Sequence, residues 1–459
     1  MNDLAIHEFD VDLSDLTLNE RQVVAKLVEA CRLVAKIYQK QENRSYPWSN
    51  FYPADATKEE IEEAAKENPK ILSPYTMVER SDTGKLAAIP YHIKFREDLL
   101  PVAKLLKEAA EITDDKPFAR RLVLQANALI DGDYEAADIY WLTMQPYKID
   151  IVIGPVDRLD DHVFFKKTSY ESWVGIIDEE KTEKAKLIQQ AIYDAKRKTL
   201  APSEKAEFLD KTNLRVDKTL MFSGLFARGM FTSTSLPNDV KLMQIHGVDI
   251  MFFDTSLDYK FENFHYPIFE KIFEKEFQKN YEKSLLREGS FRNVLLHEIG
   301  HSLLRFQRSE ERLKEFFPVI DELSATIYGI KSCAPLILKN IMTEKELEAI
   351  MIMFVCRAFT WWLDQKTQPS VEAFAKGHAI ALNHFLQNGA IREAGGVSWP
   401  NFSKMFMGIE ELSDALERLI SIGVYEDVKE FVEKYGSFDI YERLAGRLAK
   451  EFGGLAIKQ

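Results

Sequence analysis

In "LLHEIGHSLL" two histidines, His297 and His301, stand four residues apart, and Glu298 directly follows the first. On an α-helix positions i and i+4 share a face, so both imidazoles can point at one ion. A neutral imidazole nitrogen is a good Zn2+ ligand, and two of them leave room for a third ligand and water. Glu298 lies one step round the helix, where it can flank the ion without binding it and accept a proton from water. Nine histidines and 73 acidic residues in 459 positions give roughly 0.03 such patterns by chance. The spacing therefore reads as a metal site.

A third ligand must come from elsewhere. "FFPVIDELSATIYGI" offers Asp321 and Glu322, the latter 21 residues after His301 and flanked by apolar Phe317, Ile320, Leu323 and Ile327. A short connection would fold this second helix back on the first and bring a carboxylate inward. Helical phase does not separate the two acids.

The rest of the chain has to position this pair of helices. With 459 residues it is too long for one compact unit, and two lobes are expected. Thr17…Glu20 and Thr57…Glu60 have capping-box spacing and open helices over 17–40 and from 57 to just before Pro69. "YTMVERSDTGKLAAIPY" reads as two short strands around an Asp-Thr-Gly turn, and two more helices are expected over 94–133. "YKIDIVIGPVD", "ESWVGIID" and "GVDIMFFD" are β-branched and extended. From residue 262 onward nearly everything has helical periodicity. The fold class is α+β and predominantly α-helical. A mixed lobe over 1–180 is joined by about 215–260, and a helical lobe takes 181–214 and 261–459.

A formal charge of −13 argues against a nucleic-acid binder, which needs a basic face. The acidic N-terminus has no apolar core and is not a secretory signal. The most apolar stretch, "AIMIMFVCRAFTWWL", is interrupted by Arg357 and falls short of the ~20 residues of a membrane span. Cys31, Cys333 and Cys356 do not make a disulfide framework. A cytoplasmic protein with no membrane partner is expected. No glycine pattern for cradling phosphates is present.

Several segments carry a resemblance. "NFYPADATKEEIEEAAKENP", "YKIDIVIGPVD", "SLPND", "LLHEIGHSLL", "IDELSATIYG" and "GHAIALNHFLQNGAI" occur in that order, followed by the helical "EDVKEFVEKYGSFD". In these segments the chain resembles the dipeptidyl-peptidase III family of zinc metallopeptidases, in particular its short bacterial relatives, over about residues 45–440. The resemblance implies two lobes separated by a cleft, one Zn2+ ion in the helical lobe, and a short peptide as substrate, in a monomer or homodimer. It implies His297, His301 and Glu322 as ligands, which favours Glu322 over Asp321, and Glu298 as the base. His378 is implied to help hold the substrate or stabilise the transition state. Asp157 is matched to a residue that holds a peptide's free amine, and Asn238 to one that binds substrate backbone.

Four positions depart from the family pattern. His-Glu-Ile-Gly-His has five residues where many members have six. Leu159 stands where a tyrosine is usual, a change worth ~10²-fold in rate if that tyrosine polarises the reacting carbonyl. Thr326 replaces an acidic residue that orients a histidine ligand, and such losses cost roughly 10–100-fold. Ser235 replaces an asparagine. All metal-site residues are kept while several substrate-facing ones change. The leading expectation is a zinc-dependent hydrolase that cleaves short peptides from the N-terminus. The alternative is a catalytically weak or inactive zinc-containing peptide-binding protein of the same fold.

Overall fold

Thr17 and Glu20 form the full capping box at the start of α1 (Leu18–Gln41). The Thr17 hydroxyl accepts the Glu20 N–H at 3.2 Å and the Glu20 carboxylate accepts the Thr17 N–H at 2.7 Å. The second box is half formed. Thr57 caps α2 (Lys58–Glu67) through the Glu60 N–H, but the Glu60 carboxylate is taken by the Arg80 guanidinium at 2.8 and 3.0 Å. A bidentate charged pair outcompetes a single backbone donor. Arg80 ends β2 (Thr76–Arg80), which forms a hairpin with β3 (Leu86–Pro90). Gly84 takes the positive φ of +78° that the turn needs.

The structure is a computed structural model and describes residues 4–43, 49–199, 211–303, 309–365, 371–393, 397–398 and 400–445. The chain forms two compact units, Met1–Thr182 with Asp210–Ser256, and Glu183–Leu209 with Leu257–Gln459. The fold is α+β and mostly helical.

In the first unit, α3 (Arg96–Ile112) and α4 (Lys116–Asp131) are followed by a helix the sequence did not announce, α5 (Glu135–Thr143). The sheet contains β1 (Ile6–Glu8), β4 (Ile149–Pro155), β5 (Tyr170–Ile177), β6 (Thr212–Gly224), β7 (Ser233–Leu236) and β8 (Val248–Phe253). Its order is β4-β5-β6-β8-β7. β6 is long enough to pair twice along one side, through Thr212–Asp217 with β8 in parallel and through Met221–Ser223 with β1 antiparallel. Three-residue β1 has too little pattern to be read from sequence. α1, α3 and α4 bury Leu27, Cys31, Leu99, Leu106, Leu122 and Leu129 in one core with Ile151, Ile153 and Val174 of the sheet. Of the 181–214 stretch expected to be helical, the helix Glu179–Arg197 is present, 200–210 lie outside the described residues, and β6 already begins at Thr212.

The second unit packs α6 (Lys283–Leu303), α7 (Phe317–Lys331), α8 (Glu344–Asp364), α9 (Glu372–Gln387), α10 (Phe402–Ile422) and α11 (Tyr425–Tyr435). Apolar α8 is a core helix, buried from Ala349 to Thr360. Among the described residues no helix is long and apolar enough to cross a membrane. All three cysteines are free and buried.

Glycines set the distance between α6 and α7. A Cβ on Gly300 would stand 1.9 Å from the Ala325 carbonyl oxygen, and one on Gly329 would stand 2.1 Å from that of Leu296. No side chain fits at either point, so the two backbones touch there. This close approach lets a carboxylate on α7 reach imidazoles on α6.

Candidate metal centre

His297, His301 and Glu322 converge: their ligand atoms all lie within 4.8 Å of one another. His297 Nε2 is 3.2 Å from Glu322 Oε2, and His301 Nε2 is 3.6 Å from the same oxygen. Tetrahedral zinc with bonds of ~2.0–2.1 Å sets its ligand atoms about 3.3 Å apart. Glu322 Oε2 is buried and has no hydrogen-bond partner, as an oxygen directed at a cation would be. The spacing, the donor types and the orphaned oxygen fit a divalent metal.

Both candidate imidazole ligands are aimed by a neighbour. Thr326, one turn after Glu322, donates its hydroxyl hydrogen to the Glu322 carbonyl at 3.1 Å. Its oxygen must then accept from His297 Nδ1, 2.8 Å away. That fixes the proton on Nδ1 and leaves the Nε2 lone pair facing the centre. The resemblance implies an acidic residue here that orients a histidine, and a loss where it is replaced; in this chain the threonine hydroxyl performs the orientation, without a negative charge. Replacing Thr326 by valine should therefore weaken zinc binding roughly 10–100-fold with the fold retained. Competition against a chromogenic chelator measures this, and an unchanged affinity would show that the hydroxyl contributes nothing.

His301 presents its other nitrogen, Nδ1, to Asp321 at 3.5 Å. Thus Glu322 faces both histidines while Asp321 faces one of them from behind. Burial disfavours the His301 cation, but Glu322, Asp321 and Glu298 together outweigh it and raise its pKa to about 10. Burial also opposes the Glu322 carboxylate, and the two histidines override it and hold that carboxyl well below the usual range. So much negative charge around one imidazole marks a place built for a cation.

α9 carries His378 to the same centre, where its ring stacks on Phe354 at 4.9 Å. Nδ1 lies 2.8 Å from the Phe374 carbonyl, while Nε2 is buried without a partner. Burial first, then the charge of Arg357, lowers its pKa to about 3. Sequence reasoning noticed Arg357 only as a break in an apolar run. It is 7% exposed and donates from Nη1 to Asn293 Oδ1 at 2.6 Å, one turn before His297. A charge inside an otherwise apolar buried helix was the available signal. His384 turns away to Glu411, at 3.0 Å.

Asp157 and Asn238 meet in the first unit. Asn238 Nδ2 donates to Asp157 Oδ1 at 2.7 Å and to the Val156 carbonyl at 3.3 Å. The Asp157 N–H donates to Glu171 at 2.7 Å. Burial pushes the Asp157 carboxyl up to about 6, against the pull of Asn238 and Arg158. Leu159 points outward, 45% exposed.

No family model matches the chain. Nudix hydrolase 3 of Arabidopsis thaliana is 24% identical over 408 residues, which are 80% of this chain and 51% of that protein. The chain thus spans about half the length of that curated relative. Among solved structures, dipeptidyl-peptidase III from Caldithrix abyssi aligns over 96% of this chain and 95% of its own, with a TM-score of 0.84 and 24% identity. Dipeptidyl-peptidase III from Corallococcus sp. strain EGB aligns over 97% and 93%, with a TM-score of 0.78 and 23% identity. Nearly end-to-end superposition on both extends the likeness from scattered motifs to the whole architecture: the chain has the dipeptidyl-peptidase III fold.

Proposed function

We propose that this protein is a zinc-dependent peptidase that removes dipeptides from the free amino end of short peptides. The observation that carries the reading is the meeting of two imidazole nitrogens and one orphaned carboxylate oxygen beside Glu298. His297, His301 and Glu322 would hold the ion, which when bound supplies Lewis acidity to water and to a carbonyl. Glu298, next to a ligand but outside the ligand set, takes the proton from the attacking water and returns it to the leaving amine. His378, with its buried Nε2 lone pair, accepts a hydrogen bond from the substrate. Asp157, steadied by Asn238, pairs with the substrate's ammonium group. The dipeptide as product follows the activity for which the two solved neighbours are named.

The test is a mass-spectrometric digest of a defined oligopeptide mixture by zinc-loaded protein. Free-amine peptides should lose two residues at a time, and their Nα-acetylated forms should stay intact. With Asp157 titrating near 6 and a peptide amine near 7.7–8.0, kcat/KM should rise with pH through about 6 and fall above roughly 8. Equal cutting of acetylated and free peptides would end the exopeptidase assignment. Saturable peptide binding without any product would instead favour a binding protein on this fold, which the missing tyrosine at Leu159 keeps in view.

A further inference from the structure

Arg357 uses one of its five N–H groups. Nη1 donates to Asn293 Oδ1, and the Trp361 ring lies 5.8 Å from Cζ. The other donors have no hydrogen-bond partner among the described residues, although the side chain is more than nine-tenths buried. None of these nitrogens is among the fully buried atoms that lack a partner, so the idle donors touch solvent and a ligand can reach them. The guanidinium acts electrostatically on Glu298, Glu322 and His378, and Asn293, its anchor, sits one turn before His297 on α6. Arg357 is therefore anchored beside the metal centre, on the helix that carries His297 and His301.

Beyond the Lewis acidity of an ion, a hydrogen-bond donor placed where negative charge develops speeds peptide hydrolysis. His378 does not provide it. Its Nδ1 faces a carbonyl, which only accepts, so the ring proton sits there and Nε2 offers a lone pair. Among the described residues here, the Trp361 indole N–H and Arg357 have unused donors, and of the two Arg357 carries the positive charge that a developing oxyanion needs.

We propose that Arg357 is a catalytic residue, whose free N–H groups receive the carbonyl oxygen of the bond being hydrolysed. As water adds to the carbonyl carbon, one water proton passes to Glu298 and the C=O π-pair moves onto the oxygen held by Arg357. Collapse re-forms C=O and breaks the C–N bond, and the amine leaves with the proton from Glu298. This inference rests on the peptidase reading above.

The experiment compares zinc-loaded wild type with Arg357→Gln and Arg357→Lys. It reads steady-state kinetics, zinc content and calorimetric affinity for a phosphinic peptide, in which a PO2− group replaces the reacting carbonyl. Arg357→Gln should lower kcat about 10²–10³-fold with KM within about threefold, keep one zinc per chain, and weaken phosphinate binding by the same factor as kcat/KM. Arg357→Lys keeps the charge and should recover part of both, which answers a Gln variant that does not fold. A loss confined to KM, or phosphinate affinity indifferent to both substitutions, overturns the proposal while leaving the peptidase reading intact. Phosphinate affinity that depends on Arg357 in a wild-type protein unable to cut peptides supports the oxygen-receiving role and removes the peptidase reading.

Discussion

Glu298→Gln should leave one zinc per chain and slow peptide turnover 10²–10⁴-fold, the range for removing a positioned general base. The substitution keeps shape and hydrogen-bonding capacity but cannot take a proton. It should spare the metal because Glu298 is not among the three residues whose donor atoms converge. It should spare the fold because its side chain is only half buried on α6, between the buried His297 and Ile299. Elemental analysis alongside initial rates separates the two effects. A variant with full zinc and wild-type turnover would remove Glu298 from the chemistry. Loss of zinc together with activity would move it into the ligand set.

The second large effect belongs to Glu322→Gln. A structural zinc site with four ligands is worth ~10–16 kcal/mol, so one ligand carries roughly 2.5–4 kcal/mol, or about 10²–10³-fold in affinity. Gln offers a neutral oxygen of the same reach, so the loss reports the charge as well as the bond. The Glu322 oxygen lies 3.2 and 3.6 Å from the two imidazole nitrogens, whereas Asp321 lies behind His301 at 3.5 Å from its far nitrogen. Asp321→Asn should accordingly weaken zinc far less. Were the two substitutions equal, or their order reversed, the ion would have to sit on the Asp321 side of His301.

Part of this site is legible from residue order because its geometry is local. His297, Glu298 and His301 occupy one helical turn, so the 3.6-residue period alone puts both imidazoles on one face with the carboxylate beside them. Capping residues gave α1 in the same way, since Thr17 and Glu20 are three positions apart. Where a distant group competes, local reading falls short. Glu60 leaves its own helix start for Arg80, twenty residues away. α5 was not anticipated, and β1 exists because β6 offers it an edge.

The sequence by itself determined the turn that carries both candidate imidazole ligands, the helical character of nearly everything after residue 262 apart from the short strand pair Arg392–Glu393 and Val397–Ser398, and the two acids that could supply a third ligand. Tertiary structure decided between those acids, by pressing α6 and α7 together at Gly300 and Gly329 until Glu322 faced both histidines. It also gave Thr326 its place under His297 and turned Arg357 from an interruption in an apolar helix into a buried cation at the centre. The physical reason is range. Helical periodicity fixes neighbours within a turn, while a coordination sphere needs donors from α6 and α7, and the charges and hydrogen bonds that orient it come from α8 and α9 as well, whose spacing only packing sets.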